Sequence, residues 1–222
     1  MHNELLFLLQ IMFISGCTLA ISNMGKEALT AYISLLFVMA NIFVLKQINL
    51  AGWTVTSADV FIIGVSFSLN ILQEFWGKTY AQKAVWISFA LSTFYVIVGN
   101  GIMYYIPASA DTAHPSLAFI MNNTLRLVSA SFAAYVMTQM IDIQLYGYLK
   151  KFFNGKYFAA RNYVSLLSSQ FIDTILFSYL GLYGIVHNIH DIIIMSYSIK
   201  VISIICMSPF LLIAKKVIKK GA

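Results

Sequence analysis

Two stretches of this chain set an amide and a carboxylate three residues apart inside apolar surroundings: Gln139-Met-Ile-Asp142-Ile-Gln-Leu145-Tyr146 and Gln170-Phe-Ile-Asp173-Thr-Ile-Leu176-Phe177. Both read Gln-x-x-Asp-x-x-Leu-aromatic, and the second begins 31 residues after the first. On a helix, residues three apart share a face, so each copy presents both groups together. A carboxylate at the centre of a bilayer costs about 2.5–3.5 kcal/mol on insertion scales, so two such pairs point to a polar path or pocket. Carboxylate and amide oxygens accept from ring N–H groups and exocyclic amines, as proteins read base edges. A planar polar heterocycle is the ligand class that suits them.

Other polar residues interrupt the apolar runs. Asn70, Gln73 and Glu74 crowd the end of one run, Arg126 lies well inside another, and Lys200 lies inside the last. Isolated charges this deep are costly, so the economical arrangement pairs Arg126 and Lys200 with Asp142 and Asp173. Trp76 and Tyr197 neighbour this set and are the rings placed to stack on a heterocycle. Asn41 and the serines Ser129, Ser131, Ser165, Ser168 and Ser169 read as close-packing residues and interhelical hydrogen bonds. Asp59 and Asp111 fall near the outer face and need no function there, and His114, His187 and His190 read as solvated loop residues. Cys17 and Cys206 sit in apolar runs as packing residues. No spacing typical of a metal site is present, and no cofactor is expected.

The elements that position these groups are transmembrane helices. The 222 residues are 60% hydrophobic and 10% charged, with a mean hydropathy of +0.81. Soluble domains carry about 25% charged residues. A membrane β-barrel would show short alternating segments rather than long apolar runs. The expected fold is an all-α polytopic bundle of about seven helices, near 5–22, 29–45, 57–75, 84–105, 118–140, 163–185 and 192–213, each long enough or nearly so to cross about 30 Å of hydrocarbon. The fifth continues past the membrane from Asp142 to Leu149, and the polar end of the third admits a broken or re-entrant helix. The first lacks a basic leader and reads as a membrane helix rather than a signal peptide. The chain divides into an N-terminal helix and connector (1–28), a helical transport domain (29–214) and a basic tail (215–222).

Basic residues set the orientation. One set of loops holds eleven of the fourteen Lys and Arg residues, from Lys26 through Lys78, Lys83 and the 150–161 cluster to the C-terminal lysines; the opposite set holds Lys46 alone. The C-terminus is therefore expected in the cytoplasm and the N-terminus outside, in a bacterial inner membrane. This distribution also explains the net charge of +6 without nucleic acid as a partner.

With these residues in view, the chain resembles the vitamin-uptake-like family of queuosine precursor transporters, from about Leu36 to Leu212. The resemblance is carried by Ala40-Asn41 and Lys46, by Asn70-Ile-Leu-Gln73-Glu74-Phe-Trp76-Gly77-Lys78, and by Arg126-Leu-Val-Ser129-Ala-Ser131-Phe-Ala-Ala-Tyr135 running into Gln139 and Asp142. It continues through Ser165, Gln170 and Asp173 to Tyr197-Ser-Ile-Lys200-Val. Asn70 stands where the family usually has Asp, and Gln73 where it often has Asn, which removes one charge. The N-terminal helix is additional to the family's usual six. The resemblance implies uptake of 7-deazaguanine compounds (7-cyano-7-deazaguanine, 7-aminomethyl-7-deazaguanine or queuine) for transfer RNA modification. It implies a substrate site drawn from Asn70, Gln73, Glu74, Arg126, Gln139, Asp142, Gln170, Asp173, Tyr197 and Lys200.

Two other readings compete with this one. A substrate-capture subunit energised by a separate ATPase module would use the same pocket, and the chain itself carries no phosphate-binding Gly-x-x-x-x-Gly-Lys loop. An intramembrane hydrolase would need Asp142 and Asp173 close enough to share a proton, with no supporting motif around either. A non-enzymatic role is expected.

Overall fold

The computed structural model describes residues 2–153 and 158–202. The apolar runs form helices: α1 (His2–Ser22), α2 (Lys26–Phe43), α3 (Asp59–Trp76), α4 (Lys78–Ile102), α5 (His114–Phe152) and α6 (Phe158–Phe177). One turn of π-helix, Ser178–Leu182, continues α6, and α7 is described over residues 189–202. The bundle is helical as expected, with one exception.

Between α2 and α3 the chain forms a β-hairpin, β1 (Gln47–Leu50) paired antiparallel with β2 (Trp53–Thr56). Ile48 faces Val55 and Leu50 faces Trp53 across the ladder, around a two-residue turn at Ala51 and Gly52. Both turn residues have positive φ, 51° and 86°, the twist that joins two strands tightly. The hairpin is tied to the start of α1: Asn3 Nδ2 donates to the Asn49 carbonyl at 2.8 Å, and the Ala51 amide donates to Glu4 Oε1 at 2.9 Å. Ten residues that fall between two expected helices thus hold the N-terminal helix in place.

α3 is continuous rather than broken, and it is separated from α4 by Gly77 alone. Gly77 has φ 94°, a conformation that a Cβ disfavours, so the chain turns a corner where a loop of several residues was expected. The 39 residues of α5 span about 58 Å at 1.5 Å per residue, well beyond a hydrocarbon core, which accounts for the expected extension through Leu149.

Small residues let the helices approach. A Cβ on Gly64 of α3 would collide with the Ile14 side chain of α1 and come within 3.0 Å of Leu36 Cδ1. A Cβ on Gly181, in the π-helical turn, would come within 3.3 Å of the Ala130 side chain on α5. Leu29, Ile33, Val55, Ile71 and Leu72 form one buried cluster; Leu127, Leu182 and Ile192 anchor a second. Hydroxyl pairs cross between helices at Thr18–Ser68 and Ser34–Ser88, each 3.1 Å. Interhelical hydrogen bonds of this kind contribute about 0.6 kcal/mol each in membrane bundles.

The outside of the bundle is apolar. Phe13, Phe94 and Ile97 are exposed, and so are Tyr104, Tyr105 and Ile106 beyond the end of α4. α1, α2 and α4 are each long and apolar enough to cross a membrane. Apolar surface on this scale would associate in water and is matched by hydrocarbon.

Candidate functional site

A cavity of about 280 Å³ opens among α2, α3, α4, α5, α6 and α7. α1 contributes no lining residue. The volume is at the small end of ligand pockets, which run from about 300 to 1,000 Å³, and suits a one- or two-ring molecule.

The polar side of the cavity has two centres, both anchored on α7. In the first, Lys200 Nζ donates to Asp173 Oδ2 at 2.8 Å and to Thr174 Oγ1 at 3.1 Å, with Gln170 one turn earlier on α6. In the second, Ser196 Oγ donates to Asp59 Oδ2 at 2.9 Å, and Thr56 lines the wall beside it. Asp59 is 6% exposed. It opens α3, where the helix dipole favours a negative charge. Ser196 and Lys200 are four residues apart, so the two carboxylates are bonded to α7 at positions about one helical turn apart.

On the facing side, Ser131 Oγ on α5 donates to Asn41 Oδ1 on α2 at 3.3 Å, while Asn41 Nδ2 donates to the Phe37 carbonyl at 2.8 Å. Thr138, two turns further along α5, is 5% exposed and also lines the cavity. Its hydroxyl has no hydrogen-bond partner among the described residues. A buried hydroxyl left alone costs about 1–3 kcal/mol, and an acceptor or donor on a ligand would relieve it.

The apolar wall is aromatic. Phe37 meets Phe89 edge to face at 4.9 Å, Phe89 meets Tyr135 at 5.5 Å, and Phe177 completes the lining. These rings line the cavity, and Trp76 and Tyr197 do not. Trp76 packs on Phe75 at 5.9 Å, and Tyr197 sits edge to face with Phe171 at 5.0 Å while its hydroxyl reaches the Leu167 carbonyl at 3.4 Å.

Of the ten residues expected at the site, Gln170, Asp173 and Lys200 line the cavity. The side chains of Gln139 and Asp142 lie outside the described residues. Asn70, Gln73 and Glu74 are exposed and line none of it, because the buried face of α3 is set by Val60, Ile63, Phe67 and Ile71 and these three fall off that face. Arg126 also departs from expectation. Its Nε donates to the Leu180 carbonyl at 2.9 Å and one terminal amine donates to the Tyr183 carbonyl at 2.7 Å. The guanidinium therefore satisfies carbonyls left open by the π-helical turn, in place of a carboxylate.

Sequence reasoning missed Asp59, Asn41, Ser131 and Thr138 as cavity residues. Asp59 carried one legible signal, a carboxylate just ahead of a long apolar run. Depth along the chain placed it near an outer face, and only the packing of α7 shows that it is covered.

A bundle of long apolar helices around a small cavity with paired charges is the architecture of a membrane transport protein. Comparison with known proteins agrees. The family described as "Putative vitamin uptake transporter" matches residues 56–214, and the chain belongs to that family. The chain is also 30% identical over 216 residues to a protein of Bacillus subtilis (strain 168) named "Probable queuosine precursor transporter", covering 96% of this chain and 91% of that one. The expected resemblance is borne out. No solved structure matches the chain. The alignment is too long to leave out α1 as a whole.

Proposed function

We propose that this chain is a membrane importer of queuosine precursors, the 7-deazaguanine bases used in transfer RNA modification. The observation that carries the reading is the similarity to the Bacillus protein along nearly the whole of both chains. The cavity supports it chemically. Gln170 and Asp173 accept from the ring N–H and exocyclic amine, Lys200 donates to the ring carbonyl, and Thr138 and the Asn41–Ser131 pair offer further polar contacts. The ring plane lies against Phe37, Phe89 and Phe177. The role needs no chemistry on the substrate.

The same reading sets the chain in the bacterial inner membrane with seven crossings, its C-terminus in the cytoplasm and its N-terminus outside, on the basis of the basic residues in alternate loops. Residues 1–28 form a helix and connector outside the transport domain of 29–214, in keeping with an α1 that touches the hairpin and α3 but not the cavity.

The test is expression of the chain in a bacterium that neither makes nor imports queuosine precursors but holds the salvage enzymes. Supplied with 7-cyano-7-deazaguanine, 7-aminomethyl-7-deazaguanine or queuine at low concentration, such cells gain queuosine in transfer RNA if the reading is right. Absence of queuosine with all three, with the protein in the membrane, contradicts it.

A further inference from the structure

We propose that Asp59 selects a cationic substituent on the transported base, so that the site prefers an aminomethyl-substituted 7-deazaguanine over neutral analogues of the same shape. The inference rests on the reading above and adds the charge of the substrate to it.

The argument begins with a count of charge. Among the described residues, the fully charged side chains lining the cavity are Asp59, Asp173 and Lys200. Lys200 is committed: it lies 2.8 Å from Asp173 and forms the only ion pair among them. Asp59 receives a hydrogen bond from Ser196 and feels Lys200 only through space. No Lys, Arg or His of the described residues reaches ion-pair distance of it. With all three ionised, the cavity carries one negative charge in excess, and that charge is at Asp59.

A carboxylate under such cover is expensive unless something positive meets it. Ser196, from α7, supplies one donor to Oδ2, and the first turn of α3 supplies a favourable field. The groups that face Asp59 from the remaining elements are Thr56 of β2, which is neutral, and Lys200, which is already paired. Ser196 is a neutral donor, so the charge on Asp59 has no paired cation among the described residues, and a ligand cation is the missing complement.

Position agrees with charge. Asp59 and Asp173 are bonded to α7 at Ser196 and Lys200, four residues apart, or about 6 Å along the helix. Both carboxylates line the same cavity, so one ligand can meet both at once. One carboxylate is thus placed for the ring edge and the other for the substituent. The cavity, at about 280 Å³, has room for a base with a short arm.

The experiment is a competition for uptake in cells expressing the chain. Accumulation of labelled 7-cyano-7-deazaguanine is opposed by unlabelled 7-aminomethyl-7-deazaguanine or by its neutral 7-hydroxymethyl analogue. The wild-type chain is expected to be inhibited by the aminomethyl compound at a concentration at least tenfold lower than by the hydroxymethyl compound. Asp59→Asn brings that ratio to near one, and Asp59→Glu, which keeps the charge, retains a preference. A wild-type ratio near one overturns the inference and leaves the transport reading intact. So does a preference that survives in Asp59→Asn, or one that is lost in Asp59→Glu with the protein in the membrane. Where Asp59→Asn fails to fold, the wild-type ratio and Asp59→Glu decide the matter. No accumulation of any labelled base by the wild-type chain overturns both readings at once.

Discussion

Lys200 Nζ stands 2.8 Å from Asp173 Oδ2, and this contact ties α7 to α6 inside the cavity. Removing one partner leaves a covered charge alone, which in fully buried pairs costs about 3–5 kcal/mol. Here the lysine side chain is 14% and the aspartate side chain 27% exposed, so partial solvation reduces the penalty. We expect Lys200→Met or Asp173→Leu alone to destabilise the protein by about 2–3 kcal/mol. The double variant should regain most of that stability and still transport at under a tenth of the wild-type rate, a loss equivalent to at least about 1.4 kcal/mol. Thermal unfolding in detergent and initial uptake rates measure the two effects separately.

Arg126 is expected to behave as a structural residue. Its two bonds to the Leu180 and Tyr183 carbonyls are charge-assisted, but the side chain is exposed. Arg126→Gln should therefore lower stability by about 1–2 kcal/mol. The substrate concentration at half-maximal uptake should stay within a factor of two or so, because the guanidinium lines no part of the cavity. A large rise in that concentration with unchanged stability would place Arg126 at the substrate instead.

The aromatic wall gives a direct contrast. Phe89→Ala removes the ring that touches both Phe37 and Tyr135 and should reduce uptake about tenfold or more, in line with 1–3 kcal/mol per base stacked on an aromatic. Tyr197→Phe and Trp76→Phe keep the ring contacts with Phe171 and Phe75 and should stay near wild type. Uptake by the three variants, normalised to membrane protein level, checks the assignment.

Gly64 tests the seat of α1. A valine there must displace Ile14 and Leu36, and overpacking of a close helix contact costs about 1–3 kcal/mol. The loss should appear as a lower unfolding temperature, and Ile14→Ala introduced beside Gly64→Val should recover part of it. No recovery would mean that the strain lies against Leu36.

Much of the fold was legible because lipid imposes simple rules. Helices follow apolar runs, and α5 could be read past its membrane span because Asp142 to Leu149 continues the same periodicity. The Lys200–Asp173 contact was also within reach, since two deep and opposite charges in adjacent segments have strong reason to meet. The hairpin was not, because four-residue strands around Ala51-Gly52 carry too little pattern to separate from a loop. Rotation about each helix axis was the second obstacle. Asn70, Gln73 and Glu74 have the right chemistry and lie on the exposed side of α3, while Asp59, on the same helix, turns inward under Ser196. In a chain that is apolar all round, hydropathy cannot distinguish the face toward lipid from the face toward the cavity.

The central claim is that a 7-deazaguanine base occupies the space between the Asn41–Ser131 pair and the Lys200–Asp173 pair. It is tested most directly by cysteine protection, in a chain with Cys17 and Cys206 replaced by alanine and Ser131 by cysteine. The rate at which a small maleimide labels this single cysteine is measured with and without 7-aminomethyl-7-deazaguanine. The account predicts that the base slows labelling several-fold, that guanosine does not, and that a cysteine at exposed Asn70 is labelled at the same rate either way. Unchanged labelling at Ser131→Cys in a variant that still imports the base, or protection at Asn70→Cys alone, would contradict it.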